Sequence, residues 1–150
     1  MSRRSAVSRK TYEHLGVTVI VTDPSEKKIL LGIRKNSYRA GMYGCPGGRL
    51  ELAEPLEQTA RRELLEETGL TAKRLKFVGT VREFQTTYNF IHFTFVADEY
   101  TGTVRTMEPD KCSGWNWFPL DALPENVLPG HAAGIRLLTD PLHSHIADIT

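Results

Sequence analysis

Only two cysteines, Cys45 and Cys112, occur in the 150 residues, too few for a disulfide framework and without the spacing of a metal-binding cysteine cluster. Such sparse use suits a reducing compartment, so a cytoplasmic protein is expected. No apolar run approaches the ~20 residues needed to cross a bilayer, and no membrane partner is expected. Charge of one sign is lacking too: the formal balance is +1, which gives no reason to expect a nucleic-acid polymer or an anionic lipid surface as partner. That balance is uneven. Arg3, Arg4, Arg9 and Lys10 stand in a start without any acid, leaving the remainder net negative. Residues 1–13 are read as a basic flexible tail, with an organellar transit segment as the alternative. No repeat, linker or low-complexity tract divides the rest, and the length suits one domain that can bury a substantial core. Residues 14–150 are expected to form it.

What the chain does have is an acidic segment, Gly48 to Leu70, reading GRLELAEPLEQTARRELLEETGL. Leu56, Ala60 and Leu64 form an apolar stripe at helical spacing, Pro55 suits a first turn, and Gly69 is placed to stop the helix. Glu63, Glu66 and Glu67 fall at i, i+3 and i+4, so their carboxylates project from one side of that helix. Like charges so placed repel, by about 0.2–0.5 kcal/mol per pair even in solvent. A cluster of hard oxygen donors suits Mg²⁺, which binds through a few carboxylates plus substrate phosphates. The acidic face therefore reads as a site for a metal-bound polyphosphate.

The remaining elements follow from pattern. Leu15 to Val21 and Lys28 to Ile33 are apolar and β-branched runs around Asp23-Pro24-Ser25, and read together as a hairpin. Lys35 to Tyr43 reads as a loop. Phe77 to Phe84 and Phe90 to Ala97 read as paired strands, Trp115 to Phe118 as a short strand, Pro119 to Leu123 as a helical turn, and Gly130 to Leu138 as a last helix. Strands mixed with helices argue for a mixed sheet covered by helices.

The acidic segment resembles the Nudix box: glycine, five residues, glutamate, seven residues, then arginine, glutamate, an aliphatic, any residue, two glutamates, any residue, glycine and an aliphatic. Gly48, Glu54, Arg62, Glu63, Leu64, Glu66, Glu67, Gly69 and Leu70 meet every fixed position. Pro46-Gly47-Gly48 is the usual lead-in, and from about His14 to Leu138 the order of elements is similar to that of MutT-type Nudix enzymes. The resemblance implies an α/β fold, an α/β/α sandwich with a mixed sheet. It implies hydrolysis of a nucleoside diphosphate-linked small molecule with Mg²⁺, Mn²⁺ being a substitute. A homodimer is compatible with it, since many relatives dimerise.

Residue roles are carried over in the same way. Glu66 and Glu67 are expected to hold the metal, with the Gly47 carbonyl as a further ligand. Glu63 would be a ligand or the general base, and Arg62 would hold it and keep it ionised. Glu54 would either cap the helix or reach the metal shell. Glu108, in a loop ahead of Trp115, would be a further metal ligand or base, or else a solvated loop acid. From physical type, Arg34 and Lys35 could bind outer phosphates, and Phe90, His92, Trp115 or Trp117 could meet a base; solvated cations and core aromatics are the alternatives.

The overall likeness favours a nucleoside triphosphate, oxidised or otherwise modified bases included, cleaved to a nucleoside monophosphate and pyrophosphate. Tyr88 keeps a dinucleoside polyphosphate open, and a nucleotide sugar is a further alternative. A non-catalytic nucleotide-binding regulatory module would be expected to lose some of Arg62, Glu63, Glu66 and Glu67, and all four are present.

Overall fold

A computed structural model describes residues 13–25, 27–37, 39–85, 88–140 and 146–150. The expected tail lies outside them, apart from Glu13, which already belongs to a strand. Among the described residues the order is β1 (Glu13–Val21), β2 (Lys28–Arg34), β3 (Tyr43–Gly44), β4 (Gly47–Arg49), α1 (Leu56–Thr68), β5 (Thr71–Phe84), β6 (Asn89–Thr101), β7 (Cys112–Pro119), α2 (Pro129–Thr139) and β8 (Ile146–Ile149). A five-stranded sheet runs β4-β1-β6-β5-β8, and a three-stranded sheet runs β3-β2-β7. The larger sheet is mixed: β1 lies parallel to β6 and β5 to β8, while β1–β4 and β5–β6 are antiparallel.

Strand alternation decides which helix covers which face. Val17, Val19 and Val21 of β1 pack with Phe95 and Ala97 of β6 against Ala60 and Leu64 of α1. The intervening Ile20, with Val96, packs instead with Ile135 of α2. Two apolar faces and two helices give the expected α/β/α sandwich. Complete burial of a side chain such as Leu64 contributes about 1.5–3 kcal/mol. Helix α2 lies close to β6 because two glycines face it: a Cβ on Gly130 would overlap the His92 ring, and one on Gly134 would press on Thr94.

The expected hairpin is not formed. β1 and β2 belong to different sheets and, among the described residues, are linked at the turn end by the isolated bridge between Thr22 and Ile29. The turn itself is as expected, with Asp23 Oδ1 accepting from the Lys27 and Lys28 amides at 3.0 Å. Beyond it each strand is buried on both faces and finds its own partners, β1 with β4 and β6, β2 with β3 and β7. Alternation cannot register such strands, because neither has a wet face. Pro119 ends β7, and the expected helical turn is a single turn after it, closed by the Ala122 amide on the Pro119 carbonyl at 3.0 Å; β3 and β8 add strands that sequence reasoning did not anticipate.

Candidate active site

Helix α1 carries the acidic cluster, and its ends explain how the cluster is held. Pro55 is the N-cap, extended at φ −62° and ψ 146°, and no side chain caps the amides of the first turn. Glu54 therefore does not cap the helix. Its carboxylate accepts from the Thr59 hydroxyl at 2.6 Å and from Arg62 Nε and Nη2 at 2.7 and 2.9 Å. That fork-to-fork pairing holds Glu54 down at about 2, with Arg62 the larger cause and Thr59 the next. At the other end Gly69 adopts φ 77° and returns its amide to the Leu65 carbonyl, a left-handed stop suited to glycine.

The last carbonyls of α1 are met by the loop ahead of β7 and by β7 itself. Arg105 N–H donates to Thr68 O at 2.8 Å, and Met107 N–H and Trp115 Nε1 donate to Glu67 O at 3.3 and 3.1 Å. These bonds satisfy helix carbonyls that have no partner within the helix. They also bring Glu108 close enough to Glu63 and Glu67 to be felt electrostatically by both.

Arg62 Nη1 donates to Glu63 at 2.9 Å and to Glu66 at 3.1 Å, so one guanidinium gathers Glu54, Glu63 and Glu66. Glu63 lies over Gly48, where a Cβ would fall inside its carboxylate. Contrary to expectation, Arg62 does not keep the Glu63 carboxyl low. Burial outweighs the cation, Glu66 and Glu108 add repulsion, and the group is raised. Glu67 is raised further, to about 8, by burial first, with Glu63 and Glu108 adding to it against the Gly47 amide and Arg34. Gly47 N–H donates to Glu67 Oε2 at 3.1 Å.

These residues fit a hard divalent cation by the chemistry of the donor set: mutually repelling carboxylates, one displaced to about 8, which a cation would return to the ionised form. The set is not gathered in advance. Among the described residues no three acid, histidine or cysteine side chains converge into a cation cage, because Arg62 engages Glu63 and Glu66 while Gly47 engages Glu67.

A cavity of about 410 Å³ opens beside the cluster, lined among others by Glu67, Glu108, Arg34, Trp115, Phe90 and His92. Glu66 and Lys35 are outside that lining; Glu66 is exposed, and the Lys35 ammonium donates to Pro109 O at 3.2 Å. The Trp115 ring also covers Gly32, so this side chain both packs the core and walls the cavity. His92 is buried, with its ring centroid 4.5 Å from that of Phe90.

Sequence reasoning missed two buried polar residues in the cavity wall, Glu83 and His131. His131 Nδ1 accepts from the Cys45 amide at 2.8 Å, which puts the ring hydrogen on Nε2. Burial, with His92 and Arg34 nearby, holds His131 well below the usual histidine range. Burial likewise pushes the Cys45 thiol up to about 12, leaving it unreactive. A signal for Glu83 existed: it follows Val81 by two residues, in phase with a buried strand face.

The NUDIX domain family matches residues 12–138, and the chain belongs to that family. Among known proteins it is similar to the oxidized purine nucleoside triphosphate hydrolase of Danio rerio, 38% identical over 109 residues, covering 71% of this chain and 66% of that protein. It is also similar to the NAD-capped RNA hydrolase NudC of Pectobacterium carotovorum, 32% identical over 131 residues, covering 86% of this chain and 48% of the relative. The chain thus spans less than two thirds of these relatives' length. Among solved structures, a MutT NUDIX hydrolase from Burkholderia pseudomallei superposes with a TM-score of 0.79 at 26% identity, covering 84% of this chain and 98% of that one. Among the described residues no helix is long and apolar enough to cross a membrane.

Proposed function

We propose that the chain hydrolyses a nucleoside triphosphate to a nucleoside monophosphate and pyrophosphate in a Mg²⁺-dependent reaction. The observation that carries this reading is the position of Glu67, a carboxylate displaced to about 8, in the wall of a cavity that also presents Arg34 and aromatic side chains. A site of that size and lining suits a small molecule with a flat apolar part and an anionic part.

Glu66, Glu67, Glu63, the Gly47 carbonyl and Glu108 would hold Mg²⁺, with Mn²⁺ as substitute; once bound it offsets phosphate charge and acidifies a water. The residues of the chain supply the rest. Arg34 lines the cavity close enough to Glu67 to lower its carboxyl, and is a cation placed to meet phosphate oxygens. Glu63, raised by burial, is better matched to accept a proton near neutral pH than an exposed glutamate. Arg62 restricts where that carboxylate sits. Phe90 and Trp115 offer apolar faces to a base. Lys35, tied to Pro109, steadies the Glu108 loop.

Product analysis with Mg²⁺ on nucleoside triphosphates with ordinary and oxidised bases, a dinucleoside polyphosphate, ADP-ribose and a nucleotide sugar tests this reading. A monophosphate plus pyrophosphate from a triphosphate supports it. Preferential cleavage of another member moves the specificity and keeps the acidic site. Binding without cleavage of any member would make the domain a nucleotide-binding module and overturn the proposal.

A further inference from the structure

Away from the acidic cluster, one buried acid in the cavity wall has no part in the proposed hydrolysis. Glu83 lies in β5, opposite Phe90 of β6, and its side chain is only 10% exposed. Its partners all differ from those of Glu63 and Glu67. Oε2 accepts from His92 Nε2 at 3.4 Å and from the Gln85 amide at 3.3 Å. Oε1 receives no hydrogen bond among the described residues and is ion-paired with Arg39 Nη1 at 4.0 Å. His92 is in turn placed by Thr18, whose hydroxyl lies 3.3 Å from Nδ1.

Keeping a carboxylate this deep is costly unless it is fully hydrogen-bonded, and here the bonds are long and Oε1 has only the ion pair with Arg39 at 4.0 Å among the described residues. The group is nevertheless held ionised, with His92 the main cause. An ionised carboxylate only accepts, and it offers about four lone-pair sites. His92 and Gln85 use two at Oε2, so two remain, in the wall of a cavity already lined by Phe90 and Tyr88.

We propose that Glu83 is a specificity-determining residue that reads the base of the nucleotide, accepting two adjacent N–H donors of a guanine-type edge while Phe90 and Tyr88 flank the ring. This rests on the nucleotide reading above, which leaves the base open. The ring N–H and the exocyclic amino group of guanine lie side by side and match the two remaining acceptor sites. Hypoxanthine offers the ring N–H alone. Adenine and cytosine place a ring-nitrogen lone pair beside the amino group, which would face the carboxylate and be repelled. Uracil has one N–H between two carbonyls. His92 acts through Glu83 as a positioning residue.

Titration of the metal-free wild-type protein with GMP, IMP and AMP tests the assignment without any turnover. Charge-assisted hydrogen bonds of this kind are worth about tenfold or more in discrimination. The expected result is GMP binding at least tenfold tighter than IMP or AMP, with Glu83→Gln abolishing the difference. Equal binding of the three by wild type overturns the proposal, and needs no variant to be folded. A preference that survives in a folded Glu83→Gln protein overturns it too. With Mg²⁺, the ratio of kcat/KM for GTP over ITP should fall in Glu83→Gln mainly through KM, while ITP turnover persists. Cleavage of GTP and ITP at equal efficiency sinks this assignment and leaves the hydrolase reading standing; base-selective binding without cleavage of any triphosphate does the reverse.

Discussion

Gly48 and Glu63 occupy the same small volume from opposite sides, strand below and helix above, with no room for a Cβ between them. The glycine is therefore a steric condition on where the candidate base sits. Gly48→Ala should push the Glu63 carboxylate off its position and off Arg62 Nη1. A misplacement of this kind costs about 10²-fold in turnover, with a stability loss of about 1–3 kcal/mol from overpacking. Steady-state kinetics beside urea unfolding check it; wild-type kcat in the folded variant would contradict the contact's role.

Glu67 makes the metal-free protein sensitive to alkali. Its carboxyl stands at about 8 in the folded chain against an ordinary 4.5, so the folded state binds that proton more tightly than the unfolded state. Its contribution is fully present below about pH 4.5 and is lost as pH rises through about 8. Glu67→Gln removes the loss. In EDTA the variant should match wild type near pH 4.5 and exceed it by a few kcal/mol near pH 9, at about 1.4 kcal/mol per unit of displacement. Urea denaturation at the two pH values decides it. Turnover in Mg²⁺ should fall by a large factor.

Metal affinity should show the same group from the other side. A cation binding at Glu67 must displace its proton, so Mg²⁺ affinity should rise with pH and level off above about 8. Calorimetry in two buffers of different ionisation enthalpy would count the released proton. An affinity flat between pH 6 and 9 would remove Glu67 from the ligand set.

Arg62→Lys keeps the charge and removes the fork. Glu54 would lose its paired bonds at 2.7 and 2.9 Å, and one ammonium cannot gather Glu54, Glu63 and Glu66 together. Turnover is expected to drop about tenfold or more, with a higher Mg²⁺ requirement. A variant with an unchanged Mg²⁺ dependence would show that the network is structural only.

Removing a hydrogen-bond donor from the helix end gives a milder test. Trp115→Phe loses the bond to the Glu67 carbonyl together with part of the ring that packs over Gly32. The expected cost is about 0.5–1.5 kcal/mol of stability from the bond plus the packing lost with the smaller ring, with a partial loss of turnover as the last turn of α1 loosens. Thermal melts and kcat on the same sample would measure both.

The helix and its acids were legible because both obey local rules: the Leu56, Ala60 and Leu64 stripe, the Gly69 stop, and carboxylates at i, i+3 and i+4. What failed was anything set by distant strands. β1 and β2 look like a hairpin because Asp23 makes a good turn, yet partners far along the chain claim each strand. Glu54 was expected at a cap or a metal, and only the packed structure shows it bound to Arg62. Glu63 was expected low beside an arginine, and only its burial under β4 reverses that. Glu83 went unnoticed since a single acid within a strand ordinarily faces water; here it is buried beside His92 of the neighbouring strand and Gln85.

The bond from the Gly47 amide to Glu67 joins a backbone hydrogen on a strand to the charge state of an acid on the helix. That amide is consequently a built-in reporter. Its proton resonance should move upfield as Glu67 takes up a proton and its acceptor strength falls, and should move again when a cation competes for the same oxygen. Titrating one peak in a nitrogen–proton spectrum, with no substrate and no substitution, would follow ionisation and metal loading of the site from the inside.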